Sequence, residues 1–575
     1  MEAPGSKHGK RKRNKSFIQT AKKYGKQGRF GRGSHVTEDV YQYFVRVLEM
    51  SRQEFGTIED KEVFVSNVFG ETVGEEINLS CNQLVSRAIE KFLPCASADV
   101  IERFTEAFSK NLRPIFGDPF ASHVLQKLLL VVAQKTKETL SEEQESDDPK
   151  EKNDWVVQIA RFGLNNIEDF AWDTYANHVL RTALLCLSGG EESENVKEGK
   201  DGTLNVKYTE IIIRKGNVPE TYTELLREYE QSLASWPQIA DLAFEGLTSG
   251  LLQSLVIALK RAGETESCDH FIKILIEKCF KKYAEDGSLF ESDYAMHFMD
   301  SCLATASPDL IETIYRSCLK DKLKKLVTHS KANFTVQRLF DFCPDKELMA
   351  ECLDEVIETE DAMEKIFKSG YFGVFSSMAK ACKRLGHKQG VFLLKGKQKP
   401  NESNRYIVNL HGSLVIQAML HFNKPIKVVN SLLDMNPQEL QVLFCDPKGS
   451  RILDAYMESV FVGAKSRERM IKKLGGMFVE LAVSKHGSRS LEAAWAAVAI
   501  KQRHGIACEL SSRDGQLTAS PYGRIISSKI ALPLFRQSLE EWLQFQSGQE
   551  KKRDLFADII GSGTPSDSTE VPVKE

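Results

Sequence analysis

The chain has 575 residues, 77 Lys or Arg against 80 Asp or Glu, a formal net charge of −3, and 42% hydrophobic with 27% charged side chains. Its longest apolar runs, such as Ala493 to Ile500, fall far short of the roughly 18 to 20 residues that cross a bilayer, and no apolar stretch follows the basic N-terminus, so neither a membrane span nor a secretory signal is expected. Twelve cysteines, no two closer than nine residues, suggest neither a Cys-x-x-Cys metal knuckle nor a disulfide framework and read as reduced buried thiols of an intracellular protein; no metal or other cofactor is expected.

In chain order, residues 1 to 35 come first, with eleven Lys or Arg and one acid, so the remaining 540 residues carry a net −13. Poor in aliphatic side chains and rich in Gly, this tail is expected to be disordered. Its cluster Lys10, Arg11, Lys12 and Arg13 suits a nuclear-import signal or a polyanion-binding arm. A packed body is expected over 36 to 545, interrupted by two acidic, polar inserts at 135 to 153 and 189 to 202, and followed by a disordered C-terminal tail at 546 to 575.

Within the body, apolar residues recur at three- and four-residue spacing and few runs alternate at period two, which predicts an all-α fold. One phrase returns: a cap or turn residue, two variable positions, a small residue, a polar marker, a variable position, two apolar residues and a polar one. Clear copies are DPFASHVLQ (118 to 126), DTYANHVLR (173 to 181), NLHGSLVIQ (409 to 417), DPKGSRILD (446 to 454) and SKHGSRSLE (484 to 492). Weaker ones are NLSCNQLVS (78 to 86), SDYAMHFMD (292 to 300), HSKANFTVQ (329 to 337) and SPYGRIISS (520 to 528), with two more guessed near Thr248 and Phe372. The polar markers fall at 82, 122, 177, 249, 296, 333, 373, 413, 450, 488 and 524, an underlying period of 36 to 40 once the inserts are set aside. Asp118-Pro119, Asp446-Pro447 and Ser520-Pro521 put an N-cap acceptor before a proline that can open a helix. Small residues such as Gly412, Gly449 and Gly487 are expected to let helices approach closely, and the apolar pairs that follow the marker to face a shared core. One such unit cannot bury its stripe alone, so about eleven repeats are expected to stack into a superhelical solenoid with a concave face made by one helix of each.

In each marked helix the polar residues lie at i, i+1 and i+4. Ser122, His123 and Gln126 form one triplet; Asn177, His178 and Arg181 the next; then Asn333, Phe334 and Gln337, and Ser488, Arg489 and Glu492. Ser413 with Gln417, and Ser450 with Arg451, fall in the same frame. Positions i and i+4 share a helix face, with i+1 to the side. A donor and acceptor pair at i and i+4 can meet the edge of a base while a planar side chain at i+1 lies on its face, which is the geometry for one base per repeat on single-stranded RNA.

These phrases resemble Pumilio (PUF) repeats. The basic tail, DPFASHVLQ, DTYANHVLRTALLCLSG, the acidic insert, and later HGSLVIQAML and DPKGSRILDAYM together resemble the nucleolar protein nine group of ribosome-assembly factors, over essentially 36 to 545. The resemblance implies an eleven-repeat, strongly curved solenoid, nucleolar and monomeric, that binds single-stranded small-subunit (40S) precursor ribosomal RNA on its concave face and delays its final 3′ cleavage among other pre-ribosomal assembly proteins. It also implies adenine-type reading by Ser122 with Gln126 and by Ser413 with Gln417, uracil-type reading by Asn333 with Gln337, and guanine-type reading by Ser488 with Glu492. His123, His178, Phe334, Arg451 and Arg489 would stack. Leu414 is a poor stacker, and Asn82 with Ser86, Met296 with Asp300 and Arg524 with Ser528 match no standard reader, so recognition is expected to be uneven.

Catalysis finds no support: there is no His-Glu-x-x-His, no Gly-x4-Gly-Lys-Ser/Thr, no Gly-x-Ser-x-Gly and no clustered carboxylates of a metal-dependent nuclease. The alternatives are a HEAT or armadillo-type protein-binding scaffold or cargo adaptor, and a PUF-like factor of large-subunit assembly that grips RNA without base preference.

Overall fold

The computed structural model describes residues 17–52, 55–142, 154–190, 218–359, 361–395 and 409–549. Among these the regular elements are helices, and the one β-bridge, Gly33 with Asn82, is isolated. No helix of the described residues is long and apolar enough to cross a membrane. The chain divides into two compact units, Met1–Lys320 and Asp321–Glu575.

In the first unit, α1 (Phe17–Gly25) and α2 (Glu38–Met50) precede five marked helices: α3 (Val85–Phe92), α4 (Ala121–Glu142), α5 (Thr174–Leu187), α6 (Gly246–Ala262) and α7 (Asp293–Thr305). Each marked helix packs on the next, backed by Ala98–Ser109, Trp155–Asn165, Glu220–Ala234 and Thr265–Leu275. The second unit holds six: α8 (Asn333–Phe342), α9 (Phe372–Leu385), α10 (Leu410–Leu420), α11 (Ser450–Glu458), α12 (Gly487–Ala497) and α13 (Pro521–Lys529). They too pack serially. All eleven markers therefore fall on or just before a helix of one row within their unit, the two guessed ones included.

The caps explain the helix starts. Asp173 accepts from the backbone N–H of Tyr175 and Ala176 at 2.9 and 2.8 Å, and Asn409 from that of His411 at 2.9 Å; such a cap contributes about 1 kcal/mol. At Ser520-Pro521 the helix opens on the proline as expected. At Asp118 and Asp446 the acid instead caps a turn, and the helix proper begins at Ala121 and Ser450. The apolar pairs Val124 and Leu125, and Ile452 and Leu453, are buried as expected. A Cβ on Gly449 or Gly487 would stand 2.1 Å from Leu443 O or 2.7 Å from Leu481 O, so those helices do need a missing side chain. Gly412 does not share the role: a Cβ there would meet only Asn409, at 3.9 Å.

Three expected boundaries shift. Residues 17 to 35 are ordered, not part of a disordered tail: α1 buries Ile18, Ala21 and Gly25, Tyr41 Oη donates to Ala21 O at 3.3 Å, and the Arg87 guanidinium lies 3.8 Å over the Phe17 ring. Composition averaged over 35 residues hides a nine-residue amphipathic stripe. The first acidic insert begins later than 135, because α4 runs on to Glu142. The body also continues past 545, through a helix over 539–549 in which Trp542 Nε1 and Gln546 Nε2 both donate to Ile530 O, at 2.8 and 3.2 Å. The Lys10 to Arg13 cluster, the second insert after Gly190 and the C-terminal stretch from 550 lie outside the described residues.

Candidate nucleic-acid interface

The triplets share a layered geometry in which the i side chain is sunk. Ser122, Asn177, Asn333, Ser413 and Ser450 are all buried to 2% exposure or less, and Ser488 to 7%. This corrects the expectation that i and i+4 are presented side by side: the marker is sunk below the surface, and at Asn333 and Ser413 it braces the glutamine above it. Asn333 Nδ2 donates to the carbonyls of His329 (2.8 Å) and Ser330 (3.0 Å), and its Oδ1 accepts from Gln337 Nε2 at 3.0 Å. Ser413 Oγ donates to Lys448 O of the next repeat at 2.7 Å and accepts from Gln417 Nε2 at 2.9 Å. Asn177 Nδ2 donates to Ala171 O at 2.8 Å. Ser450 and Ser488 donate to carbonyls in their own first turns, Pro447 at 3.5 Å and Lys485 at 3.2 Å. Ser122 Oγ is buried with no hydrogen-bond partner.

At i+1 the side chains turn outward. Phe334 is 50% exposed, a large ring that hydrophobic burial alone would have hidden. His123, Arg451 and Arg489 are exposed, and His178 and Leu414 half-buried. At i+4, Gln126, Arg181, Gln337, Gln417 and Glu492 are half-buried. A glutamine held through one N–H keeps its carbonyl oxygen and second N–H for an outside edge, which matches the donor and acceptor pair a base presents. Gln126 is tied back further, donating to Ser122 O (3.3 Å) and accepting from Thr182 Oγ1 of α5 (3.2 Å).

Gln126, Arg181, Gln337 and Glu492 also reach toward the following helix. A Cβ on Gly250 would stand 3.1 Å from the Arg181 guanidinium, and one on Gly373 would stand 2.4 Å from Gln337 Oε1, so both glycines clear a seat for the previous repeat's reader. Gly250 is the i+1 residue of α6. Gly373 fills the same place in α9, which moves that marker from 373 to Phe372.

This chain matches the family model described as the NOP9-like PUF repeat domain over residues 74–395 and 393–525. It belongs to the NOP9-like PUF repeat family. It is 26% identical to human Nucleolar protein 9 over 585 residues, 92% of this chain and 91% of that one. It is 23% identical to Nucleolar protein 9 of the fungus Pyrenophora tritici-repentis, over 88% and 79% of the two chains. Its fold is that of the solved structure of APUM23–GGAGUUGACGG, at TM-score 0.70 and 19% identity over 89% of this chain and 100% of that one. PUF repeats are modules that read RNA base by base, so this is a nucleolar RNA-binding repeat protein, and the HEAT or armadillo reading is set aside.

Within the PUF frame the carboxylates behave unequally. Asp454 receives Arg451 at 3.2 Å, and burial lifts its carboxyl above the ordinary range against the pull of that arginine. Glu492 pairs with Lys529 at 2.7 Å across to α13, beside a cleft of about 290 Å³ walled by Leu491, Trp495 and Ile526. The triplet pattern did not point to Lys529, Thr182 or Trp495. Their positions, five residues beyond a marker (Lys529, Thr182) and seven beyond (Trp495), become visible only once successive helices are seen to touch.

Proposed function

We propose that this NOP9-like chain is a non-enzymatic ribosome-assembly factor that holds a single-stranded segment of small-subunit precursor ribosomal RNA along the marked helices and thereby delays its final 3′ cleavage. The observation that carries the reading is the repeated layer of buried brace, exposed plate and half-buried edge, with Phe334, Arg451 and Arg489 as plates and Gln337, Gln417 and Glu492 as edges. An aromatic ring left half in water gives up burial that folding alone would favour, and an aromatic or guanidinium plate facing solvent is what base stacking requires. APUM23, solved with a uracil-containing eleven-nucleotide sequence on a like fold, supports the same use of the helices.

In this proposal Asn333 and Ser413 act from beneath by fixing the edge glutamines Gln337 and Gln417, Ser122, Asn177, Ser450 and Ser488 lie beneath the base as buried floor positions, and the other members of each triplet touch it. The test is a gel-shift series with oligonucleotides differing at one base. Glu492→Gln is expected to cost about 1 to 3 kcal/mol of discrimination for guanine at a single position, leaving other positions alone. Unchanged affinity and unchanged base preference would remove Glu492 from the interface and favour the rival PUF-like factor that grips RNA without base preference.

A further inference from the structure

The first repeat does not carry an open triplet, because residues 26 to 35 lie on it. Ser34 N donates to Cys81 O at 3.1 Å, and Gln83 N to Arg32 O at 2.9 Å. The marker Asn82 donates from its amide to Phe30 O at 3.1 Å and Ser34 O at 2.9 Å, while its Oδ1 accepts from Leu84 N at 3.0 Å. Both donors and the acceptor of this amide are thereby used within the protein. The docked stretch Gly28-Arg-Phe-Gly-Arg-Gly33 needs its glycines. Gly28, Gly31 and Gly33 stand at φ +66°, +93° and +93°, and a Cβ on Gly33 would meet Cys81 O at 1.9 Å and the Phe120 ring at 2.9 Å. Phe30 anchors the stretch edge-on against Tyr41, with ring centroids 5.7 Å apart. Arg87, at the outer end of the same repeat, is engaged by Phe17.

Two side chains of the stretch are not used for docking. Arg29 and Arg32 are exposed, and neither makes an ion pair among the described residues. They matter because everything after residue 35 carries a net −13, so a polyanion passing over α3 and α4 depends on cations placed locally. Arginine forks fit phosphodiester oxygens, and glycine–arginine stretches grip single strands without reading sequence.

We propose that residues 26 to 35 form a built-in strap that replaces base reading at the first repeat with a backbone grip, Arg29 and Arg32 binding successive phosphates of a single-stranded RNA that runs onto α4. The strap accounts for Asn82 and Ser86 matching no base reader: that marker recognises the chain's own carbonyls. The proposal rests on the RNA-binding reading of the triplets.

The experiment uses the full chain and a fluorescently labelled, random-sequence 20-nucleotide single-stranded RNA pool, titrated by anisotropy from 50 to 200 mM KCl. Arg29→Gln with Arg32→Gln is expected to weaken binding roughly tenfold at the lowest salt and to flatten the log–log salt slope by about 1.4, at about 0.7 per single-strand phosphate contact. Arg29→Lys with Arg32→Lys should restore most of both. Gly33→Val should free the strap, seen as faster tryptic cleavage at Lys26 to Arg32, and weaken binding although both arginines remain. If wild type and Phe334→Ala differ while the glutamine double variant matches wild type in affinity and slope, the strap proposal falls and the triplet reading stands. If the lysine variant is as weak as the glutamine one, or Gly33→Val changes neither cleavage nor affinity, the docked phosphate grip is overturned. If wild type itself does not bind the pool at the lowest salt, the sequence-independent grip, and with it the strap proposal, falls, while base reading by the triplets is judged by the single-base gel-shift series.

Discussion

In Met1–Lys320 the triplets of α6 and α7 are shut. Ser249 donates to Tyr294 O at 3.0 Å and accepts from Gln253 at 3.1 Å, and Gln253, Met296 and Asp300 are all 5% exposed or less. In Asp321–Glu575 the same frame is open at α8, α11 and α12, where Phe334, Arg451 and Arg489 stand in solvent above braced or half-buried partners. The helices, the period and the buried marker are alike in both. What differs is the depth of the i+4 side chain, sunk at Gln253 and Asp300 but half-buried at Gln337, Asp454 and Glu492, together with the residue at i+1, glycine or histidine in the shut pair against phenylalanine or arginine in the open ones. A repeat can therefore keep its structural share of the frame while losing its reading surface, and membership in the row does not make a repeat a reader.

The sharpest way to break that comparison is to remove one side chain from an open repeat and one from a shut repeat. Phe334→Ala should lower single-stranded RNA affinity by about 1 to 3 kcal/mol, whereas Gln253→Ala should change it by no more than about 0.5 kcal/mol, within the range of substitutions that touch no ligand. Equal losses by anisotropy titration would erase the distinction between shut and open repeats. Next comes stability. Ser249→Ala strands Tyr294 O and the Gln253 amide and should cost about 1 to 2 kcal/mol, while Ser122→Ala removes a buried hydroxyl that has no partner and should be neutral or slightly stabilising, both by chemical denaturation.

A pH-dependent effect concerns α3. Burial pushes Glu90 from 4.5 to about 7, with Arg87 and Lys127 opposing. A carboxyl raised on folding favours the protein below pH 4.5, and that contribution is lost as pH rises through about 7. Glu90→Gln should therefore stabilise the chain at pH 8 by about 1 kcal/mol relative to wild type and give no such gain at pH 4.5. A gain of equal size at both pH values would show that charge is not the cause.

The repeat, its period and the eleven helices were legible because Asp173, Asn409 and Ser520 are caps whose chemistry is local, and because Val124, Leu125, Ile452 and Leu453 sit at helical spacing. The depth of the markers was not. Spacing assigns Asn333 and Phe334 to neighbouring sides of a helix, but only the approach of the next helix decides that one is sunk and the other exposed. Gly250 and Gly373 show the same limit: each is a seat for a side chain about a repeat or more earlier in the chain, at Arg181 and Gln337, and no local pattern marks it. The docked strap was missed for the opposite reason. Arg29, Arg32 and three glycines dominate the composition, while the hydrogen bonds to Asn82 that order them span about fifty residues.

Ultraviolet crosslinking of the full chain to single-stranded RNA, with the crosslinked peptides identified by mass spectrometry, bears most directly on where the strand lies. Crosslinks at 333–337, 450–454 and 488–492, with few at 249–253 and 296–300, are predicted. Crosslinks confined to residues 1–35, or as dense over α6 and α7 as over α8 and α12, would contradict the account.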